Sequence, residues 1–143
     1  MTVAHILRNK GVEVITAAPH QTLRDAANIL STRRIGALVV CDPGGKVLGI
    51  ISERDIVRAI AHAGATALEA PVSSHMTTKV TTTTEDAPIH TTMETMTNGR
   101  FRHIPVVREG ALVGVVSIGD VVKIHIETIE NESRALRDYI ASA

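Results

Sequence analysis

The amino-acid sequence predicts a mixed fold, α/β with α+β character, made of two tandem β-α-β-β-α repeats packed with pseudo-twofold symmetry and a C-terminal helical extension. Three observations predict it. The stretch GIISERD, Gly49 to Asp55, returns as GVVSIGD, Gly114 to Asp120. Each copy is preceded by an apolar run and a turn, in ALVVCDPGGKVL and IPVVREGALV. Upstream of each hairpin, apolar residues follow the spacing of one helical face: Leu23, Ala26, Ala27 and Leu30 in the first half, and Ile89, Thr92, Met93 and Met96 in the second. A unit of half the chain's 143 residues buries its apolar face poorly alone, so the two should pack as one body.

In chain order, residues 1–66 form the first repeat together with an N-terminal helix. Its first extended segment is EVITAAP, where a proline near the helix start does no harm because the first turn leaves its N–H groups unpaired. The helix carrying Leu23 follows, then a hairpin turning at DPGG between β-branched runs, then the helix IVRAI. Residues 67–78 are a connector with one short helical turn, Pro71, and Ser73 or Ser74 as a cap. Residues 79–126 repeat the plan, from KVTTTTEDAP through a hairpin turning at REG to VVKIH, which aligns Val39 and Val40 with Val106 and Val107. Residues 127–143 continue as a helical tail. From Val122 its apolar positions run through Ile126, Ile129, Leu136 and Tyr139 or Ile140, a stripe suited to a helix of a second subunit or to the chain's own body.

Composition removes several function classes. Fifteen basic residues balance fifteen acidic ones without a run of either sign, so no electrostatic footprint for nucleic acid is expected. Phe101 and Tyr139 are the only aromatic residues, so a base-stacking platform of rings is not expected. Cys41 is alone and reads as a small strand hydrophobe. The seven histidines show no metal-ligand spacing, and no GxSxG elbow or phosphate loop occurs. The apolar runs are strand-sized and the N-terminus has no signal-peptide core, so the expectation is a cytoplasmic protein without a membrane partner.

The repeated S-x-x-D motif has two readings. Serine followed three residues later by aspartate, between a strand and a helix, is a capping box that satisfies unpaired N–H groups and suits the helix dipole. The same geometry offers a hydroxyl and free N–H groups to an anion and a carboxylate to both hydrogens of a ribose diol, which together describe a nucleotide.

The two halves resemble a tandem pair of CBS domains, the cystathionine-β-synthase-type repeat whose pair is called a Bateman module. The resemblance runs from about Val3 to Lys123 and is carried most specifically by GIISERD, GVVSIGD and FRHIPVV. It implies a regulatory module that binds AMP, ADP, ATP, NAD or S-adenosylmethionine between the repeats, commonly as a homodimer, without a catalytic cofactor or chemistry of its own. By the resemblance, Asp55 and Asp120 take the ribose, Ser52 and Ser117 face the phosphate, and the backbone of Val14, Ile15 and Thr16 and of Lys79, Val80 and Thr81 contacts adenine. Where the second half has His103, Ile104 and Pro105, the first has Gly36, Ala37 and Leu38. Arg54 is a phosphate fork where the second motif has Gly119, and Arg102 and His103 are expected to supply the second positive group. One site is therefore expected to bind better than the other, or one dinucleotide to use both, with the change passed in trans to a protein partner that the sequence does not identify.

Overall fold

A computed structural model describes residues 1–11 and 13–142. Helix α1 (Val3–Lys10) leads into strand β1 (Thr16–Ala17), helix α2 (Leu23–Arg33), strands β2 (Ala37–Cys41) and β3 (Val47–Ser52), and helix α3 (Glu53–Ala63). Two short 3-10 turns, Gly64–Glu69 and Val72–Ser74, form the connector. The second half contributes helix α4 (Ile89–Gly99), strands β4 (His103–Arg108) and β5 (Ala111–Ser117), and helix α5 (Ile118–Ser142).

The helical faces read from the sequence are the buried ones. Leu23, Ala26 and Leu30 enter one core with Leu38, Val40 and Ile51; Ile89 and Met96 enter a second with Ile104, Val106 and Val116. Each fully buried aliphatic side chain stabilises the fold by roughly 1.5–3 kcal/mol relative to exposure, enough to hold each helix on its hairpin. Helix α2 starts at a capping box, in which Asp25 N–H donates to Thr22 Oγ1 at 3.1 Å and Thr22 N–H donates to Asp25 Oδ2 at 3.1 Å.

Strand β1 pairs parallel to β2, and β2 antiparallel to β3. In the second half the extended segment before α4 is reduced to one bridge, where Thr83 N–H donates to the Pro105 carbonyl and Val107 N–H to the Thr83 carbonyl, both at 2.9 Å. Its polar threonines bury little, so the segment is held by these backbone bonds, by Ala87 against the second core and by the Glu85–Arg108 ion pair.

Strand register moves the sequence alignment of the halves by one residue. Ala37 lies opposite Ser52 and His103 opposite Ser117, and both hairpins carry an irregularity one step after a glycine pair, Val40 with Gly49 and Val106 with Gly114. His103 therefore corresponds to Ala37, Pro105 to Val39 and Val106 to Val40, not to the residues that the turn sequences align. The turns differ in length, and only the hydrogen-bonded register shows where the extra residue sits.

The lead-in segments cross over. Helix α1, grouped by sequence with the first repeat, places Val3 and Ile6 in the second core, and Val3 N–H donates to the Ala87 carbonyl at 2.9 Å. The connector does the reverse: Val72 is in the first core, and Val72 N–H donates to the Gln21 carbonyl at 2.7 Å. Two glycines make these contacts possible. A Cβ on Gly49 would lie 2.7 Å from both Met76 Sδ and the Thr77 carbonyl oxygen, and one on Gly114 would lie 2.6 Å from Leu7 Cδ2. Helix α5 runs without a break through the boundary at residue 127 that the sequence suggested, up to Ser142; Ala143, the end of the expected tail, lies outside the described residues.

Candidate functional site

Both S-x-x-D motifs sit where a strand passes directly into a helix, β3 into α3 and β5 into α5. Ser52 N–H donates to Asp55 Oδ2 at 2.8 Å and Asp55 N–H donates to Ser52 Oγ at 3.3 Å. Ser117 N–H donates to Asp120 Oδ2 at 2.9 Å and Asp120 N–H donates to Ser117 Oγ at 3.1 Å. The capping reading is thus satisfied twice. Each capping box uses Oδ2 alone, so capping leaves Oδ1 with acceptor capacity, and the two readings are compatible.

Two clefts flank the pseudo-twofold axis, and each takes residues from both halves. The first, of about 680 Å³, is lined by Ser52, Arg54 and Asp55 of the first half and by Lys79, Val80 and Thr81 of the second. The second, of about 350 Å³, is lined by Val14 and Ile15 from the first half and by Ser117 from the second. Gly36, Ala37 and His103 line both, and His103 Cε1 lies 3.5 Å from the position of a Cβ on Gly36, so the imidazole forms part of the partition. Volumes of a few hundred Å³ suit small organic ligands.

Other expected residues fall elsewhere. Ile104 and Pro105 are buried in the second sheet, Thr16 is exposed in β1, and both Thr16 and Asp120 lie outside the two cleft linings, Asp120 being bonded to Ser117 and Lys10 at the edge of the second. Arg102 lines the first cleft together with Arg54, so it does not supply the second site's cation. That cleft instead has Lys10 and Arg34, and the first also has Arg58, Arg100 and Phe101. No local motif marks these residues; the crossed lead-ins and helix ends bring them in. Phe101 places one aromatic ring in a cleft that composition suggested would have none.

Arg34 and Arg100 are equivalent. Each follows the last turn of a helix, α2 or α4, in left-handed backbone conformation, with φ of 55° and 57°, and each donates its N–H to the carbonyl four residues back, Leu30 or Met96. Non-glycine residues rarely adopt that conformation, and here both are arginines that line a cleft.

The electrostatics of the two carboxylates differ. Asp55 bonds only to Ser52 among the described residues. Asp120 also accepts from Lys10 Nζ at 2.8 Å, and the same ammonium donates to the Val115 carbonyl at 2.8 Å. Burial pushes the Asp120 carboxyl upward, but the Lys10 and Ser117 hydrogen bonds outweigh it and hold the group below its ordinary value of 3.8. Burial, reinforced by Lys10 and Arg102, pushes the His103 imidazole below its ordinary value of 6.5, against opposition from Asp120 and Glu53. Among the described residues no group of three or more histidine, cysteine, aspartate or glutamate side chains could hold a metal, and no helix is long and apolar enough to cross a membrane. Cys41 is buried at the end of β2, where burial and Asp42 push its thiol upward, away from thiolate reactivity.

A family model described as CBS domain matches residues 3–62 and 72–127. The chain is 45% identical to the CBS-domain containing protein ATU1752 from Agrobacterium tumefaciens, with a TM-score of 0.83 over 87% of this chain and 99% of that one. It is 29% identical to the CBS domain pair of protein MJ0100, solved in complex with 5′-methylthioadenosine and S-adenosyl-L-methionine, with a TM-score of 0.80 over 90% of this chain and 98% of that one. It is also 29% identical to the CBS domain protein PAE2072 from Pyrobaculum aerophilum complexed with AMP, with a TM-score of 0.75 over 84% and 89% of the two chains.

Proposed function

The chain belongs to the CBS domain family, and on that premise we propose that it is a non-catalytic regulatory module that binds an adenosine-containing nucleotide between its repeats. The observation that carries the proposal is the first cleft: Ser52 and Asp55 at the start of α3 face the 79–81 segment across about 680 Å³, and among the described residues Asp55 is in no ion pair. The Asp55 carboxylate takes the ribose diol, the α3 N-terminus and Ser52 take phosphate, and the 79–81 backbone takes adenine. AMP in one similar structure and two adenosine derivatives in another support this ligand class. A ligand touching both halves favours the arrangement in which both reach it, and that shift is passed to a second copy or a protein partner in trans.

Thermal unfolding with AMP, ADP, ATP, NAD and S-adenosylmethionine, repeated on Asp55→Ala, tests the proposal. A ligand at 100 times its Kd raises stability by about 2.7 kcal/mol. A rise in Tm that Asp55→Ala removes supports the sensor. The completed capping boxes favour a second reading, a ligand-free structural or dimerisation module, in which no nucleotide moves Tm and Asp55→Ala costs only about 0.5–2 kcal/mol of cap stability.

A further inference from the structure

The first cleft gathers five cationic side chains, Arg54, Arg58, Lys79, Arg100 and Arg102, against the two carboxylates of Glu53 and Asp55. Among the described residues, the ion pairs of the molecule use none of the five. Two local choices run against ordinary helix chemistry. Arg54 stands in the first turn of α3, where the dipole favours anions, and Arg58 follows at i+4, where a like-charge pair is destabilising. A third cation, Arg100, is held in left-handed backbone at the end of α4, and Arg102 follows two residues later on the same wall. These positions come from both halves, α3 on one side and the α4–β4 junction on the other, and they outnumber the carboxylates beside them without pairing to either among the described residues.

We infer that the first cleft takes a nucleoside di- or triphosphate, with the arginines of α3 and of the α4–β4 junction closing on the phosphate chain beyond the α-phosphate. The inference rests on the nucleotide reading above and specifies its ligand class. A monophosphate reaches the α3 N-terminus and leaves the opposite wall unneutralised; a chain of three phosphates spans from Ser52 toward Arg100 and Arg102. A cationic sulfonium ligand would place like charge in the cleft.

Calorimetric titration of the full chain with ATP, ADP, AMP, adenosine and S-adenosylmethionine, in metal-free buffer after stripping of co-purified ligand, tests the inference. The same titrations are repeated on Arg58→Gln, Arg102→Gln and Arg100→Asn, the last chosen because asparagine tolerates left-handed backbone. The expected result is ATP binding at least about tenfold tighter than AMP, with each substitution weakening ATP at least about threefold more than AMP, and with ATP affinity falling steeply as salt is raised. These arginines are exposed, so the free variants are expected to keep the wild-type unfolding midpoint, which is measured alongside to check that they fold. Equal affinity for ATP and AMP, equal losses for both in the variants, or preference for S-adenosylmethionine overturns the polyphosphate inference and leaves the nucleotide sensor standing. Failure of every ligand to bind overturns both.

Discussion

Lys10 Nζ lies 2.8 Å from Asp120 Oδ2, so the N-terminal helix places a cation on the carboxylate of the second S-x-x-D motif, while Asp55, its counterpart, has no cationic partner among the described residues. Lys10→Met is expected to free Asp120 and to strengthen nucleotide binding at the second cleft, read as a rise in calorimetric stoichiometry. Unchanged stoichiometry and affinity would show that Lys10 does not occlude the site.

The same pair has a pH signature. The folded Asp120 carboxyl titrates below its ordinary value of 3.8, so its contribution is present above that value and is lost as the pH falls through the folded pKa. Pairs this exposed contribute roughly 0.2–1 kcal/mol. Chemical denaturation of the wild type and Lys10→Met should therefore show a difference near neutrality that begins to shrink as the pH falls below about 4 and is gone once it is below the folded pKa. A gap that persists at lower pH would assign the effect to packing of the lysine stem.

His103 lies on the wall shared by the clefts, with its imidazole held below 6.5. A depressed folded pKa means that the unfolded chain takes the proton first, so stability falls as pH drops through 6.5 and levels off below the folded value. NMR titration should find His103 below its ordinary value, and a bound polyphosphate should move it upward. A downward movement would place the phosphates away from this wall.

Gly49 and Gly114 are equivalent in the two hairpins but face different neighbours. A Cβ on Gly49 meets the backbone carbonyl of Thr77, which cannot move alone; one on Gly114 meets the end of the Leu7 side chain, which can turn aside. Gly49→Ala should cost about 1–3 kcal/mol and Gly114→Ala less than about 1.5 kcal/mol, compared by urea midpoint. The reverse order would mean that the connector yields more readily than α1.

Only Val121 and Ile124 of α5 are buried, and Ile126, Ile129, Leu136 and Ile140 remain between 49% and 64% exposed. If a second copy covers this stripe, Ile129→Lys with Leu136→Lys converts a dimer to a monomer by light scattering while the unfolding of the monomeric body changes by no more than about 0.5 kcal/mol. A wild-type monomer, or a dimer untouched by the charges, would remove α5 from the interface.

Much of the site was legible where chemistry follows local order. Ser52 with Asp55 and Ser117 with Asp120 are spaced as the first turn of a helix requires, so their placement followed from the motif itself. Leu30, Met96 and their neighbours announced buried helical faces through periodicity alone. Arg58, Arg100 and Lys10 carried no such mark. A surface arginine at a helix end and a lysine before a loop look alike in any sequence, and their role depends on what packs opposite.

The sequence by itself determined the repeat, the secondary-structure order apart from the leading strand expected in the second half, and the spacing that both capping boxes use, because each depends on residues close together in the chain. Only the tertiary structure decided which half each lead-in segment packs on, where the one-residue offset between hairpins lies, and which cations meet in each cleft. Those features depend on contacts between distant segments: Leu7 against Gly114, Thr77 against Ile50, and Lys10 on Asp120. Hydrogen-bond register and side-chain packing select among arrangements that the hydrophobic pattern leaves equivalent. The asymmetry of the two clefts follows from that selection, since a helix end supplies Lys10 to one carboxylate and the connector supplies no counterpart to the other.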